Sequence, residues 1–302
     1  MIVAPPVNPA VAPPLQALLP GLIDYAGLFP PAALSMPDAA AEYARQLSGP
    51  DAWVLGRFVV PAARLAELAA ARRGTAPPQP WSVSALAGPA WAEDAERIQA
   101  WRAGDELVID ALEFKAASAA EADTALAQLG RSQLCYLEVP VQADPLELLR
   151  HLAGLGLRAK IRTGGVTQGQ FPAAADVVRF LERCHQLTLA FKATAGLHHP
   201  LTGEYRLTYE PGSAKGRMFG FLTLFAAAAA VRERWPSEVV ERLLEEESGQ
   251  VLRFDEAGLH WRDRLIPASS LAQLRSSSAI AFGSCSFTEP LTDLRGLGYL
   301  PA

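Results

Sequence analysis

The stretch LCYLEVPVQADPLELLRHLAGLGLRAKIRT, residues 134–163, is one complete strand–helix–strand unit. Leu134–Val141 and Leu157–Thr163 are short apolar runs bounded by Pro, Gly or polar residues, which predicts a strand in each. Between them Pro145 opens a leucine-rich segment to Leu155 that predicts a helix. The same alternation extends in both directions. Strands are predicted at Ile23–Phe29, Trp53–Val60, Trp81–Ala87, Leu107–Ala116, Leu187–Thr194 and Ala279–Phe287. Helices are predicted from Pro37–Asp38 onward, and at Pro61–Arg73, Ala92–Trp101, Ala119–Leu129 and Pro172–His185. Eight strands with helices between them predict an α/β fold, a (β/α)8 TIM-type barrel forming a single domain over residues 1–302. An open doubly wound sheet is the main rival. No G-x-G-x-x-G follows the first strand, which weakens the dinucleotide-binding form of that rival, and no cofactor is expected.

The seventh unit is enlarged. Residues 196–267 hold a polar Gly-containing stretch, helices near Gly220–Arg234 and Pro236–Glu247, and a hairpin VLRFDEAGLHWRDRLI turning at Glu256-Ala257-Gly258. A long connection at the exit of a barrel strand predicts a lid or insertion over the site.

Lysine is rare here: four residues against 23 arginines. Lys115, Lys160 and Lys192 lie inside predicted strands, and Lys215 lies in the loop Gly212–Arg217. An amine can lose its proton and attack a carbonyl, whereas a guanidinium stays charged. Side chains alternate along a barrel strand, and catalytic groups sit at C-terminal strand ends. By that parity Glu113 and Lys115 share a face on strand four, Lys160 and Arg162 on strand six, and Lys192 and Thr194 on strand seven, with Glu138 near the end of strand five. Two carboxylates against three amines and one guanidinium leave two positive charges, which predicts a pocket for a small anionic metabolite. Neighbouring cations and burial both disfavour an ammonium, so Lys160 and Lys192 are expected to have lowered pKa values. Asp24, Tyr25 and Arg57 are candidates to complete the pocket.

Strand six ends in Thr163, Gly164 and Gly165, whose backbone can approach an anion closely. The Gly212–Arg217 loop, not a P-loop by spacing, is a second candidate cover. Strand seven runs into His198 and His199, which can contact substrate oxygens or, with Glu138, bind a metal. Strand eight ends in Ser284-Cys285-Ser286 before a helix start, where Ser284 and Ser286 predict an anion contact; simple N-capping explains the same pattern.

The segments KIRTGG (160–165) and FKATAGLHHP (191–200) resemble the strand-six and strand-seven lysine segments of class I aldolases of the deoxyribose-phosphate type. The resemblance implies Lys160 as the Schiff-base nucleophile and Lys192 as the cation that lowers its pKa. It covers about forty residues of 302. Arg162, Gly165 and the Leu-His-His that follows Gly196 depart from the pattern. FKATAGLHHP and FGSCSF (282–287) are also similar to a group of bacterial proteins without an assigned activity, and that likeness implies no reaction.

The leading expectation is an aldolase-like lyase working through a lysine imine on an anionic carbonyl substrate, with Lys160, Lys192, Glu138, Glu113 and Lys115 as the catalytic set. The alternatives are a metal-dependent lyase or hydrolase using Glu138, His198 and His199, a non-covalent isomerase or transferase on phosphorylated substrates, and a binding protein. A net charge of −5 and the lack of basic tracts argue against nucleic acid. The opening residues, broken by prolines and without a basic region, do not predict a signal peptide. The most apolar run, Gly220–Val231, is too short to span a bilayer. Three cysteines without metal-type spacing predict reduced thiols, and the chain is expected to be cytoplasmic. A homo-oligomer is compatible with the sequence.

Overall fold

The computed structural model describes residues 11–75, 79–102, 106–132 and 134–301. The first ten residues of the Pro/Ala-rich opening lie outside them. After a short helix α1 (Pro13–Leu18), strands and helices alternate as β1 (Ile23–Tyr25), α2 (Met36–Leu47), β2 (Leu55–Pro61), α3 (Leu65–Arg72), β3 (Trp81–Leu86), α4 (Trp91–Arg102), β4 (Leu107–Lys115), α5 (Ala119–Leu129), β5 (Leu134–Val139), α6 (Leu146–Gly154), β6 (Arg158–Arg162), α7 (Ala174–Gln186) and β7 (Phe191–Thr194). The enlarged segment follows as β8 (Gly203–Arg206), β9 (Lys215–Met218), α8 (Phe221–Arg232), α9 (Ser237–Leu244), β10 (Leu252–Asp255), β11 (Gly258–Trp261), β12 (Arg264–Pro267) and α10 (Ala268–Ser277). Strand β13 (Ala279–Ser284) and helix α11 (Thr288–Gly296) complete the chain.

β1, β13, β7, β6, β5, β4, β3 and β2 pair in that order, all parallel, and close a barrel. The (β/α)8 expectation holds, and all eight predicted strands are the barrel strands. Local chemistry sets the helix starts. Ser35 accepts a hydrogen bond from the Asp38 amide ahead of Pro37 in α2. Ser118 accepts from the Glu121 amide while the Glu121 carboxylate accepts from the Ala117 amide. Leu, Ile, Val and Phe side chains facing outward from the strands bury the helices' apolar stripes.

α8 is apolar on nearly every side because it is enclosed on every side. It packs on α7, α9, α10 and β13, and Phe221 stacks on Phe282 with ring centroids 4.7 Å apart. It is the barrel helix of the seventh unit, and among the described residues no helix is long and apolar enough to cross a membrane.

The insertion splits in two. The β8–β9 hairpin precedes α8, and its connection lies at the barrel mouth: Tyr209 reaches Glu289 at 3.0 Å, and the Lys215 carbonyl accepts from Gln168 at 3.0 Å. The second part packs elsewhere. β10, β11 and β12 form an antiparallel sheet against α1 and α10, the helices that lead into the N-terminal ends of β1 and β13. The predicted hairpin is therefore present, turning at Glu256–Ala257 with a third strand added, but it lies away from the mouth. Of the predicted lid region 196–267, only the part before α8 is positioned to cover a site. Arg275 of α10 closes the opposite end, donating to the carbonyls of Leu18, Pro20, Ala279 and Ile280.

Candidate active site

The barrel interior carries an ion network where branched apolar side chains commonly fill such barrels. Parity and register place it. Lys160 on β6 faces Lys192 on β7 across the ladder, Glu138 on β5 is level with Lys160, and Lys115 on β4 is level with Glu138. Glu113 lies two residues before Lys115 and so shares its inward face.

Lys160 Nζ donates to Glu113 Oε2 at 2.8 Å and pairs with Glu138 Oε2 at 3.0 Å. Lys192 Nζ donates to Glu113 Oε1 at 2.6 Å and to Asp24 Oδ2 at 2.5 Å. Ser84 Oγ adds a third bond to the Glu113 carboxylate at 2.7 Å. Lys115, exposed at the rim, pairs with Glu138 Oε1 at 2.8 Å. Glu113, Lys160, Lys192 and Asp24 are 2%, 4%, 1% and 1% exposed, so these pairs are shielded from water. The ring of Tyr136 lies 5.4 Å below Lys192 Nζ as a further contact for the cation.

Asp24 enters the barrel because residue 56 is glycine. A Cβ there would sit 2.4 Å from Asp24 Oδ1 and 3.0 Å from the Ile23 carbonyl. The Arg57 amide donates to the same oxygen at 2.8 Å and fixes the carboxylate toward Lys192. One layer nearer the N-terminal ends, Arg57 pairs with Asp110 at 2.7 and 2.9 Å, and Arg158 donates to Tyr136 at 3.2 Å. A polar floor therefore supports the network.

The charges act on one another in a definite direction. Burial alone would raise the Glu113 pKa, but Lys160 and Lys192 outweigh it and hold this carboxyl below the ordinary range. Burial opposes the Glu138 carboxylate too, and Lys160 and Lys115 hold its pKa down. For the lysines, burial disfavours the ammonium, but Glu113 and Glu138 lift Lys160 above its ordinary value, and Asp24 and Glu113 do the same for Lys192. This corrects the expected lowering of the lysine pKa values. Parity brought the cations together, but the expected charge count omitted Asp24, which balances one of them.

Above the network a cavity of about 400 Å³ opens at the C-terminal ends of the strands. Glu113, Lys115, Glu138, Lys160, Arg162, Lys192 and Thr194 line it, together with Gly165, His198 and Cys285. Arg162 Nε donates to the Gly164 carbonyl at 2.9 Å, which fixes its stem at the rim. The loops after β6 and β7 meet closely: a Cβ on Gly164 would lie 2.5 Å from Phe171 Cε1 and 3.0 Å from Gly196 Cα, and Gly196 has φ of +72°. Gly164 serves this loop contact, while Gly165 and Gly196 border the cavity.

Several predicted contacts fall elsewhere. Thr163 is fully buried and donates to the Ala195 carbonyl at 2.8 Å, so it ties two loops together and does not line the cavity. Tyr25 points outward into an aromatic cluster with Tyr43 and Phe58. Gly283 and Cys285 are the inward residues of the β13 end, so Ser284 and Ser286 do not line the cavity; Ser284 accepts from the Ser286 amide, and Ser286 accepts from the Glu289 amide as a helix cap. The Gly212–Arg217 loop becomes the turn into β9, where Arg217 pairs with Glu247. His199 turns away to Asp293 at 2.6 Å and stacks on Tyr205. Both Glu138 oxygens are held by lysines, so Glu138, His198 and His199 do not converge, and among the described residues no three His, Cys, Asp or Glu side chains group as metal ligands.

A second cluster flanks the cavity. His198 Nδ1 lies 3.3 Å from Glu289 Oε2 and 3.9 Å from Cys285 Sγ, and Tyr209 donates to Glu289. Burial would depress the His198 pKa, but Cys285 and Glu289 outweigh it and push it up to about 9. Cys285 is legible only as a reduced thiol, and Glu289 only as part of a helix start; strand parity counted forward from Gly283 finds the first. Cys135, Cys184 and Cys285 are buried, and none is in a disulfide. Comparison of the chain with protein-family models, with curated proteins and with solved structures returned no match.

Proposed function

We propose that this chain is an aldolase-like lyase that acts on a small anionic carbonyl compound through an imine on Lys160. The observation that carries this reading is the Glu113 carboxylate bridging Lys160 and Lys192 directly beneath the cavity. Lys192 is the deeper amine, enclosed by Asp24, Glu113 and Tyr136. Lys160 is nearer the opening, and its second partner Glu138 leads through Lys115 to solvent. Lys160 is therefore the nucleophile and Lys192 the fixed cation.

At rest Lys160 is an ammonium, so its proton must leave before attack; Glu138 is the acceptor with a route outward. The amine nitrogen then bonds to the carbonyl carbon to give a carbinolamine, whose hydroxyl takes the proton back from Glu138 and departs as water, so that Glu138 is again a carboxylate and a protonated imine remains. That iminium carries the same single positive charge as the ammonium it replaces. Glu113 and Glu138 therefore stabilise it without a change in local charge. When the bond between the α and β carbons breaks, the β-hydroxyl gives up its proton and becomes the carbonyl of the departing fragment, while the electron pair enters the iminium to give an enamine; protonation of the enamine carbon and hydrolysis by water then free the second fragment and the amine.

The second reading keeps the lysines as fixed cations that hold an anion without bonding to it, and the pairing of the Lys115, Lys160 and Lys192 amines with carboxylates favours it. Lys160→Arg separates the two. In a retro-aldol assay over a panel of hydroxy-carbonyl compounds, the imine reading expects activity to fall to background in Lys160→Arg. Retention of a tenth or more of wild-type turnover contradicts it.

A further inference from the structure

Resting on that imine reading, we infer that the substrate is a short oxo-acid whose single carboxylate is held by Arg162, and that phosphoesters are excluded.

The first ground is charge. Around the cavity, four cations (Lys115, Lys160, Lys192 and Arg162) meet three carboxylates (Asp24, Glu113 and Glu138), which leaves one positive charge. His198 and Glu289 balance each other. One unmatched cation suits a monoanion, whereas a phosphomonoester carries about −1.5 to −2 at neutral pH. The unmatched cation is Arg162: among the described residues no carboxylate pairs with it, and only its Nε is committed, to the Gly164 carbonyl. The remaining guanidinium nitrogens are free to fork onto a planar carboxylate.

The second ground is position. Arg162 and Thr194 are in register on β6 and β7, two residues beyond the Lys160–Lys192 pair on the same inward faces. A carboxylate on Arg162 and the Thr194 hydroxyl therefore places an attached carbonyl toward Lys160. A volume of about 400 Å³ suits a few-carbon compound.

The third ground is a place already filled. Barrels often bind phosphate on the last loops, at a helix N-terminus. Here Ser286 caps the Glu289 amide at 3.1 Å, and the Glu289 carboxylate sits on the first turn of α11, held by His198 and Tyr209. A phosphate dianion there would face a carboxylate of its own sign.

The test uses three three-carbon probes: pyruvate, dihydroxyacetone and dihydroxyacetone phosphate. Calorimetric titration should show pyruvate binding wild-type protein at least about tenfold more tightly than either other probe. Arg162→Gln should remove that advantage, and Arg162→Lys should restore part of it. Tighter binding of the phosphoester, or a pyruvate preference unchanged in Arg162→Gln, overturns the inference. Cyanoborohydride trapping of the same probes, read by intact mass, reports separately on the imine. A pyruvate preference without any adduct would leave the carboxylate site standing and remove the imine. An adduct that forms fastest with the phosphoester would do the reverse.

Discussion

Lys160 and Lys192 stand opposite each other on neighbouring parallel strands, and their amines are joined through the two oxygens of one carboxylate, Glu113. Two ammoniums this close and this buried would repel strongly without it. The carboxylate makes them a unit, and the remaining oxygens of Asp24 and Glu138 complete the balance.

Removing Glu113 therefore costs more than any surface pair. Glu113→Gln leaves two buried ammoniums short of a countercharge and should lower unfolding free energy by about 3–5 kcal/mol. Urea denaturation checks this. The double variant Glu113→Leu/Lys160→Met removes one charge of each sign and leaves the Lys192–Asp24 and Lys115–Glu138 pairs intact, so it should recover part of the loss seen in Glu113→Leu; a double variant less stable than Glu113→Leu alone would contradict the pairing.

Stability against pH follows from the same pairs. Glu113 and Glu138 have folded pKa values below the ordinary carboxyl value of about 4.3, so their contribution is full above that pH and is lost as pH falls through the folded values. Lys160 and Lys192 are raised, so their contribution is full below about 10.4 and is lost only in stronger alkali. His198, raised to about 9, contributes fully below its ordinary value and loses that contribution as pH climbs through about 9. Urea midpoints across pH should show an acid collapse, a neutral plateau and a decline toward pH 9 that His198→Asn removes.

Activity should rise with pH across the neutral range, because the free-amine fraction of Lys160 rises toward its elevated pKa. Glu138→Gln removes one of the groups that elevate it and should move the rise to lower pH. A pH–rate profile identical in wild-type and Glu138→Gln would contradict this coupling.

Thiol reactivity should be uneven. Cys285 borders the cavity beside His198, whereas burial pushes the Cys184 thiol well up. Iodoacetamide followed by peptide mass mapping should label Cys285 first, and a bound oxo-acid should slow that labelling.

The barrel was legible because strand length, boundary residues and helix starts all agreed along the chain. Inward parity correctly paired Glu113 with Lys115 and Lys160 with Arg162. Asp24 was harder to read, since one acidic residue in IDY has no periodic signature, and its place depends on the missing side chain at Gly56. The lysine pKa direction escapes the sequence for the same reason: proximity of like charges is readable, but the carboxylates interposed between them are only partly so. Residue type alone points Ser284 and Ser286 at the cavity, but register at the end of β13 turns Cys285 inward instead. The fate of the 196–267 insertion rests on long-range packing against α1 and α10, which no local pattern encodes.

The central claim is that Lys160 forms a covalent bond with a carbonyl substrate. Borohydride reduction in the presence of a carbonyl panel, followed by peptide mapping, tests it directly. The account predicts a stable adduct on the peptide containing Lys160, abolished in Lys160→Arg and reduced in Lys192→Met. No adduct across the panel, or an adduct confined to the exposed Lys115 or Lys215, would contradict it.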